Sequence, residues 1–122
     1  MVAYDYLRSN IGVAEDQILV YGYSLGSVPA VYVSANGENA DQIAGLVLEA
    51  PIGSFELYVQ DSSGLNMPGS FISEIKLDNI STIKKVSPDI RFLWLHGTAD
   101  EVNKYSTHGQ AVFDAFPGKS KT

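Results

Sequence analysis

The chain has 122 residues, 45% of them hydrophobic and 18% charged, enough for one domain able to bury roughly two thirds of its unfolded surface. Its net charge of −6 leaves no basic stripe for phosphate contacts, so nucleic acid is excluded as a partner and attraction to an anionic membrane is weak. There is no cysteine, which excludes disulfide and thiolate chemistry; with neither a leader pattern in "MVAYDYLRSN" nor any run near the ~20 apolar residues of a membrane span, the expected location is the cytoplasm.

Val2, Ala3, Tyr6 and Leu7 recur at helical spacing and predict an opening helix that leaves at Asn10 and Gly12. Ile18 to Tyr21 is an unbroken apolar run, as expected of a strand covered on both faces, and Leu25 to Ala35 predicts a helix with Pro29 near its first turn. The buried-strand pattern returns at Leu46 to Leu48 and at Phe92 to Leu95. Three such strands joined by long connections predict a parallel α/β sheet, because parallel neighbours need crossovers of about a dozen residues or more. Between Pro51 and Pro88 the periodicity gives way to Gly, Ser and isolated aromatics, and so long a connection reads as a lid or binding loop. Within it, Asn79-Ile80-Ser81 fits a glycosylation sequon, a triplet that arises often by chance. Gly109 to Phe116 predicts the last helix, closed by Pro117-Gly118.

The chemistry concentrates in "ILVYGYSLGS", where Gly22-Tyr23-Ser24-Leu25-Gly26 spells G-x-S-x-G between a strand and a helix. A serine on that sharp turn points its hydroxyl off the carboxyl edge of the sheet. The two glycines permit the turn and close packing, and the Leu25 amide becomes an oxyanion donor. The competing reading is a glycine-rich turn with a capping Ser24. Asp100 in "LWLHGTADEV" lies just past the third strand and fits the acid of a Ser, Asp, His order, although a loop aspartate or a helix cap is the plainer alternative. Glu49, ending the second strand, reads as a hydrogen-bond partner more than as an acid. Of the two histidines, His96 before Gly97 reads as bonded to nearby backbone. His108 stands only eight residues beyond Asp100, and reads as a helix cap or surface side chain in preference to a base. "PGKSKT" is no phosphate loop, because Phe113 stands where the first glycine is required. H-E-x-x-H, Cys/His clusters and G-x-G-x-x-G are absent from the sequence, so metal and dinucleotide sites have no support.

"GVAEDQILVYGYSLGSVPAVYVSA", "IAGLVLEAPIGS", "LDNISTIKKV" and "LWLHGTADEVNKYSTHGQAVFDAF" resemble, in that order, the α/β-hydrolase-domain serine hydrolases of the type that includes the protein depalmitoylases. The resemblance implies an α/β-hydrolase-like parallel sheet in three αβα layers, with Ser24 as nucleophile, Leu25 at the oxyanion hole and Asp100 as triad acid. It further implies cleavage of acyl esters or thioesters, on small substrates or acylated proteins, with no cofactor and no metal. Family members also carry earlier strands, including the loop that donates the second oxyanion amide, and a final strand and turn with the catalytic histidine. The chain offers no counterpart before Met1 or after Thr122, and Thr107 stands as an extra residue in the family's Ser-His-Gly. The expectation is therefore a single partial domain over 1–122 with a lid-like connection at 52–88, inactive alone for want of the histidine. Its Ile18 to Tyr21 edge would be left open to pair with a second copy in a homodimer. A non-catalytic hydrolase-like binding module is the alternative.

Overall fold

The computed structural model describes residues 1–63, 68–71 and 74–122. Helix α1 (Val2–Tyr6) runs on through a wider turn to Ile11 and is stopped by Gly12 at φ +77°, the left-handed exit that glycine takes without strain. Strand β1 (Leu19–Tyr23) leads through a tight turn at Ser24–Gly26 into α2 (Ser27–Asn36). Strand β2 (Gly45–Glu49), α3 (Phe55–Ser63), the short α4 (Asn79–Thr82), β3 (Phe92–Leu95) and α5 (Gln110–Ala115) follow.

The three strands form one parallel sheet in the order β1-β2-β3, with Tyr21 opposite Val47 and Leu48 opposite Trp94. Side chains alternate across a strand, and here the alternation separates two very different faces. Leu46, Leu48 and Phe92 are buried under Tyr4, Ala30, Val31, Ile83, Val112 and Phe116, so α1, α2, the turn after α4, and α5 cover the same face. The other face carries Leu19, Tyr21, Tyr23, Leu93 and Leu95, all exposed. Apolar runs on all three strands predict cover on both faces; among the described residues only one is covered, and the third layer of the αβα sandwich is not supplied. Strand β1 also forms one edge of this sheet, as the sequence predicts.

One further expectation needs correction. Of the 52–88 connection, residues 79–86 pack onto the core: Asp78 caps α4 by accepting the Ser81 amide at 2.9 Å, and Ile83 and Val86 are fully buried. Residues 64–67 and 72–73 of that connection lie outside the described residues. At the far end, the tail lies beside β3. The amides of Phe92 and Trp94 donate to the carbonyls of Ser120 and Thr122 at 2.9 and 2.7 Å, and the Thr122 amide donates to Phe92 O at 3.0 Å. These bonds form a single parallel bridge, Phe92 with Lys121, beside the three-stranded sheet.

Gly22 sets how closely α2 lies on β1. A Cβ placed there would meet Ala30 Cβ and Gly26 O at 2.7 Å and Ser27 Cα at 2.8 Å. Two of these three obstacles are backbone, which cannot swing aside. Gly22→Ala is expected to destabilise the chain by about 1–3 kcal/mol, the usual cost of overpacking, read from urea unfolding; an unchanged midpoint would show that strand and helix have slack between them.

Candidate active site

In an open parallel sheet, binding and chemistry concentrate at the carboxyl ends of the strands, and the residues singled out in the sequence meet there. Ser24 follows the last residue of β1 and adopts φ +50°. A left-handed conformation costs a residue with a Cβ roughly 1–2 kcal/mol, so the neighbours must hold it. The Ser27 hydroxyl donates to Ser24 O at 2.6 Å, and Ser27 Oγ in turn accepts the Asn79 amide at 2.9 Å and the Ile52 N–H at 3.3 Å. Asn79 also donates to Ile52 O at 2.9 Å. Ser27 and Asn79 are both buried, which couples the turn after β1 to the chain leaving β2. That burial also places the sequon asparagine out of reach of any glycan in the folded state.

Gly26 behaves differently from Gly22. Its φ is −63°, and nothing among the described residues stands within 4 Å of where its Cβ would be. Only the first glycine of G-x-S-x-G is required by the contacts present, which corrects the expectation that both are. Leu25, whose amide is the expected oxyanion donor, is exposed at the same turn.

Asp100 sits on the loop after β3 and is partly buried. Its Oδ1 accepts the amides of Val102 and Asn103, both at 2.9 Å. Its Oδ2 lies 3.7 Å from His96 Nε2, too long for a hydrogen bond. His96 is held at both ring nitrogens: Nδ1 accepts the Trp94 indole N–H at 3.1 Å, so Nε2 carries the proton and donates it to Asn103 O at 2.7 Å. No side chain would fit at Gly109, against His96 and Trp94.

His108 is neither cap nor surface residue, contrary to expectation. It is fully buried, Nδ1 accepts the Gly53 amide at 2.9 Å, and Nε2 donates to Asp61 Oδ2 at 3.1 Å. Asp61 also takes the Lys104 ammonium at 2.8 Å. The close His108–Asp61 contact has the form of an ion pair, but burial holds the imidazole pKa below its ordinary value, more than the Asp61 carboxylate raises it. The Gly53 amide moreover needs the lone pair on Nδ1, so the ring is neutral. Burial also works against the Asp61 carboxylate, yet the hydrogen bonds from Lys104 and His108 outweigh it and hold that pKa below the usual range. Both imidazoles are thus committed at both nitrogens, and among the described residues neither bonds Ser24.

Several of these residues carry no sequence signal: Ser27, Asn79, Asn103 and Asp61 matter through partners 25 to 79 residues away. Glu49, read as a structural partner, accepts the Tyr21 hydroxyl at 2.6 Å. A recess of about 770 Å³ lined by Leu19, Gly45, Arg91, Phe92 and Lys121 opens at the opposite, amino-terminal ends of the strands, away from all of this chemistry. Among the described residues no cluster could hold a metal ion, and no helix is long and apolar enough to cross a membrane.

The His108 arrangement predicts a pH response. A histidine with a depressed folded pKa contributes stability that is complete above its unfolded pKa, about 6.5, and is lost as the pH falls below it. The melting temperature should fall on acidification from about pH 7.5 to about pH 5, with Asp61 adding to the loss only at lower pH. His108→Gln should flatten that slope; an unaltered slope would assign the acid sensitivity elsewhere.

Comparison with known proteins places this geometry. The chain is 32% identical over 119 residues to the α/β hydrolase domain-containing protein aho-3 of Caenorhabditis elegans, covering 94% of this chain and 31% of that protein. It is 31% identical over 109 residues to α/β hydrolase domain-containing protein 17B of Homo sapiens (88% and 33%) and 32% identical over 116 residues to protein 17C of Mus musculus (94% and 32%). The chain therefore spans about a third of the length of these relatives. No family profile matches it. Among solved structures, the α/β hydrolase of Vibrio vulnificus superposes with a TM-score of 0.74 over 98% of this chain and 44% of that one, at 16% identity. The fold is that of an α/β hydrolase, represented in part, and the proteins similar to it in sequence are α/β hydrolase domain-containing proteins.

Proposed function

We propose that this chain is the nucleophile-bearing part of a serine hydrolase that cleaves acyl esters or thioesters. The observation that carries the reading is Ser24 at φ +50° between a parallel strand and a helix, a costly conformation that a capping serine does not need and a nucleophile elbow does. In this reading Ser24 Oγ attacks the acyl carbon and gives up its proton to a base. The Leu25 amide receives the negative charge on the carbonyl oxygen. The tetrahedral intermediate expels an alcohol or thiol, which takes the proton, and water then releases the acid and restores Ser24.

Asp100 is the triad acid of this scheme. Two backbone amides fix its Oδ1, and among the described residues Oδ2 makes no hydrogen bond, with His96 Nε2 at 3.7 Å. The base is neither His96 nor His108, since each is committed at both nitrogens. In the family that the sequence resembles, the histidine follows the last strand, and the bridge of Lys121 to Phe92 supports looking for it on that side of β3. Acyl groups on protein cysteines are the substrate class that the resemblance to depalmitoylases suggests. Commitment of both imidazoles elsewhere favours the second reading, a hydrolase-like binding module without catalysis.

Incubation with a fluorophosphonate, followed by mass spectrometry, separates the two. The hydrolase reading expects slow covalent labelling confined to the Ser24 peptide and abolished by Ser24→Ala. It also expects p-nitrophenyl ester turnover close to buffer, because loss of a triad base costs ~10⁴- to 10⁶-fold in kcat. No labelling at Ser24 would leave the binding module as the better account. Rapid turnover abolished by Ser24→Ala would return one of the two imidazoles to the role of base.

A further inference from the structure

We propose that Asn103 is a positioning residue for the nucleophile, its side-chain amide holding Ser24 Oγ in one rotamer; this rests on reading Ser24 as the nucleophile. Asn103 is 2% exposed and is fastened at three points before it reaches Ser24. Its backbone N–H donates to Asp100 Oδ1 at 2.9 Å, its backbone carbonyl accepts His96 Nε2–H at 2.7 Å, and its Nδ2 donates to Ala50 O at 2.8 Å. The second Nδ2 proton is directed at Ser24 Oγ, 3.3 Å away.

The Ala50 carbonyl decides which way the amide faces, since a flipped side chain would set Oδ1 against that oxygen. Ala50 is itself held at φ +43°, with its amide on Leu95 O at 2.8 Å. In this orientation Asn103 Oδ1 is buried without a partner among the described residues. An orphaned acceptor works against stability, and the bond to Ala50 O uses only one of the two Nδ2 protons, which leaves the other as a donor aimed at Ser24. An amide N–H cannot take a proton from serine. It occupies a lone pair of Oγ, so the hydroxyl proton is left to point toward a base.

The Asp100 loop thereby acquires a second task. Its carboxylate holds the backbone of Asn103, and the Asn103 Nδ2 in turn joins the turn after β1 to the chain leaving β2 and to the loop after β3. Short, strong approaches are not required for this; a bond near 3.3 Å that removes two of three staggered rotamers suffices to keep a nucleophile aimed.

The test combines two reciprocal measurements with one of reactivity. Side-chain 15N–1H resonances of Asn103 should move on Ser24→Ala, and the β-proton couplings of Ser24 should report one rotamer in the native chain and averaging in Asn103→Leu. Fluorophosphonate labelling of Ser24 should slow about tenfold in Asn103→Leu, the factor equivalent to one neutral hydrogen bond, with the backbone amide spectrum otherwise retained. Asn103 resonances indifferent to Ser24→Ala, or a Ser24 rotamer and labelling rate untouched by Asn103→Leu, would overturn the proposal. If Asn103→Leu does not fold, the Ser24→Ala spectrum decides alone. That spectrum needs no reactivity, so a native chain that fails to label counts against the hydrolase reading without deciding this one.

Discussion

The constraint on which the rest of the structure depends is the left-handed backbone at Ser24. Strand β1 ends one residue before it, and α2 begins three residues after it. The chain must reverse within that space while α2 comes down onto Gly22 with no room for a Cβ. A right-handed or extended serine would carry the helix away from the sheet. The strain of roughly 1–2 kcal/mol is offset by what the reversal permits, namely burial of Ala30 and Val31 against Leu46 and Leu48. Packing produces the turn, and the turn sets half-buried Ser24 at the sheet's carboxyl edge.

Around that turn the molecule uses buried polar groups where a larger domain could use bulk. Ser27 and Asn79 join the elbow to the exit from β2, Asn103 joins it to the loop after β3, and neutral His108 joins that exit to α3 through Asp61. Each of these bonds bridges segments far apart in the chain, and each lies in or beside low-dielectric surroundings where an unpaired partner is costly. The carboxyl edge of the sheet is consequently specified in detail. The opposite sheet face, with Tyr21, Tyr23, Leu93 and Leu95 exposed, carries the exposed Tyr21–Glu49 hydrogen bond but no buried polar bridge among the described residues.

The strands and the elbow were legible because local pattern determines them: apolar runs at Leu46 to Leu48 and Phe92 to Leu95, and a glycine-flanked serine between a strand and a helix. The reading of His96 as backbone-bonded held for the same local reason, since Asn103 O is only seven residues away. What stayed hidden depends on distant partners. Nothing near His108 in sequence announces Gly53 or Asp61, and a histidine before a helix looks like a cap until burial removes that choice. Asn103 sits in a loop of polar residues and gains its meaning from Ala50 and Ser24. Gly26 looked as necessary as Gly22, because motif spacing does not reveal which glycine has a neighbour. Hydropathy similarly marks a strand as apolar on both sides without telling which segment covers each side.

The account stands most directly on the backbone of Ser24, and stability alone can test it. Unfolding in urea of Ser24→Gly and Ser24→Ala compares two side chains that both lack the hydroxyl, and so isolates the conformation. At a left-handed position glycine escapes the Cβ penalty, and the glycine variant should be the more stable by about 0.5–1 kcal/mol. If the alanine variant is the more stable, as it is wherever the backbone is ordinary helix or strand, Ser24 is not held in the conformation from which the site has been built.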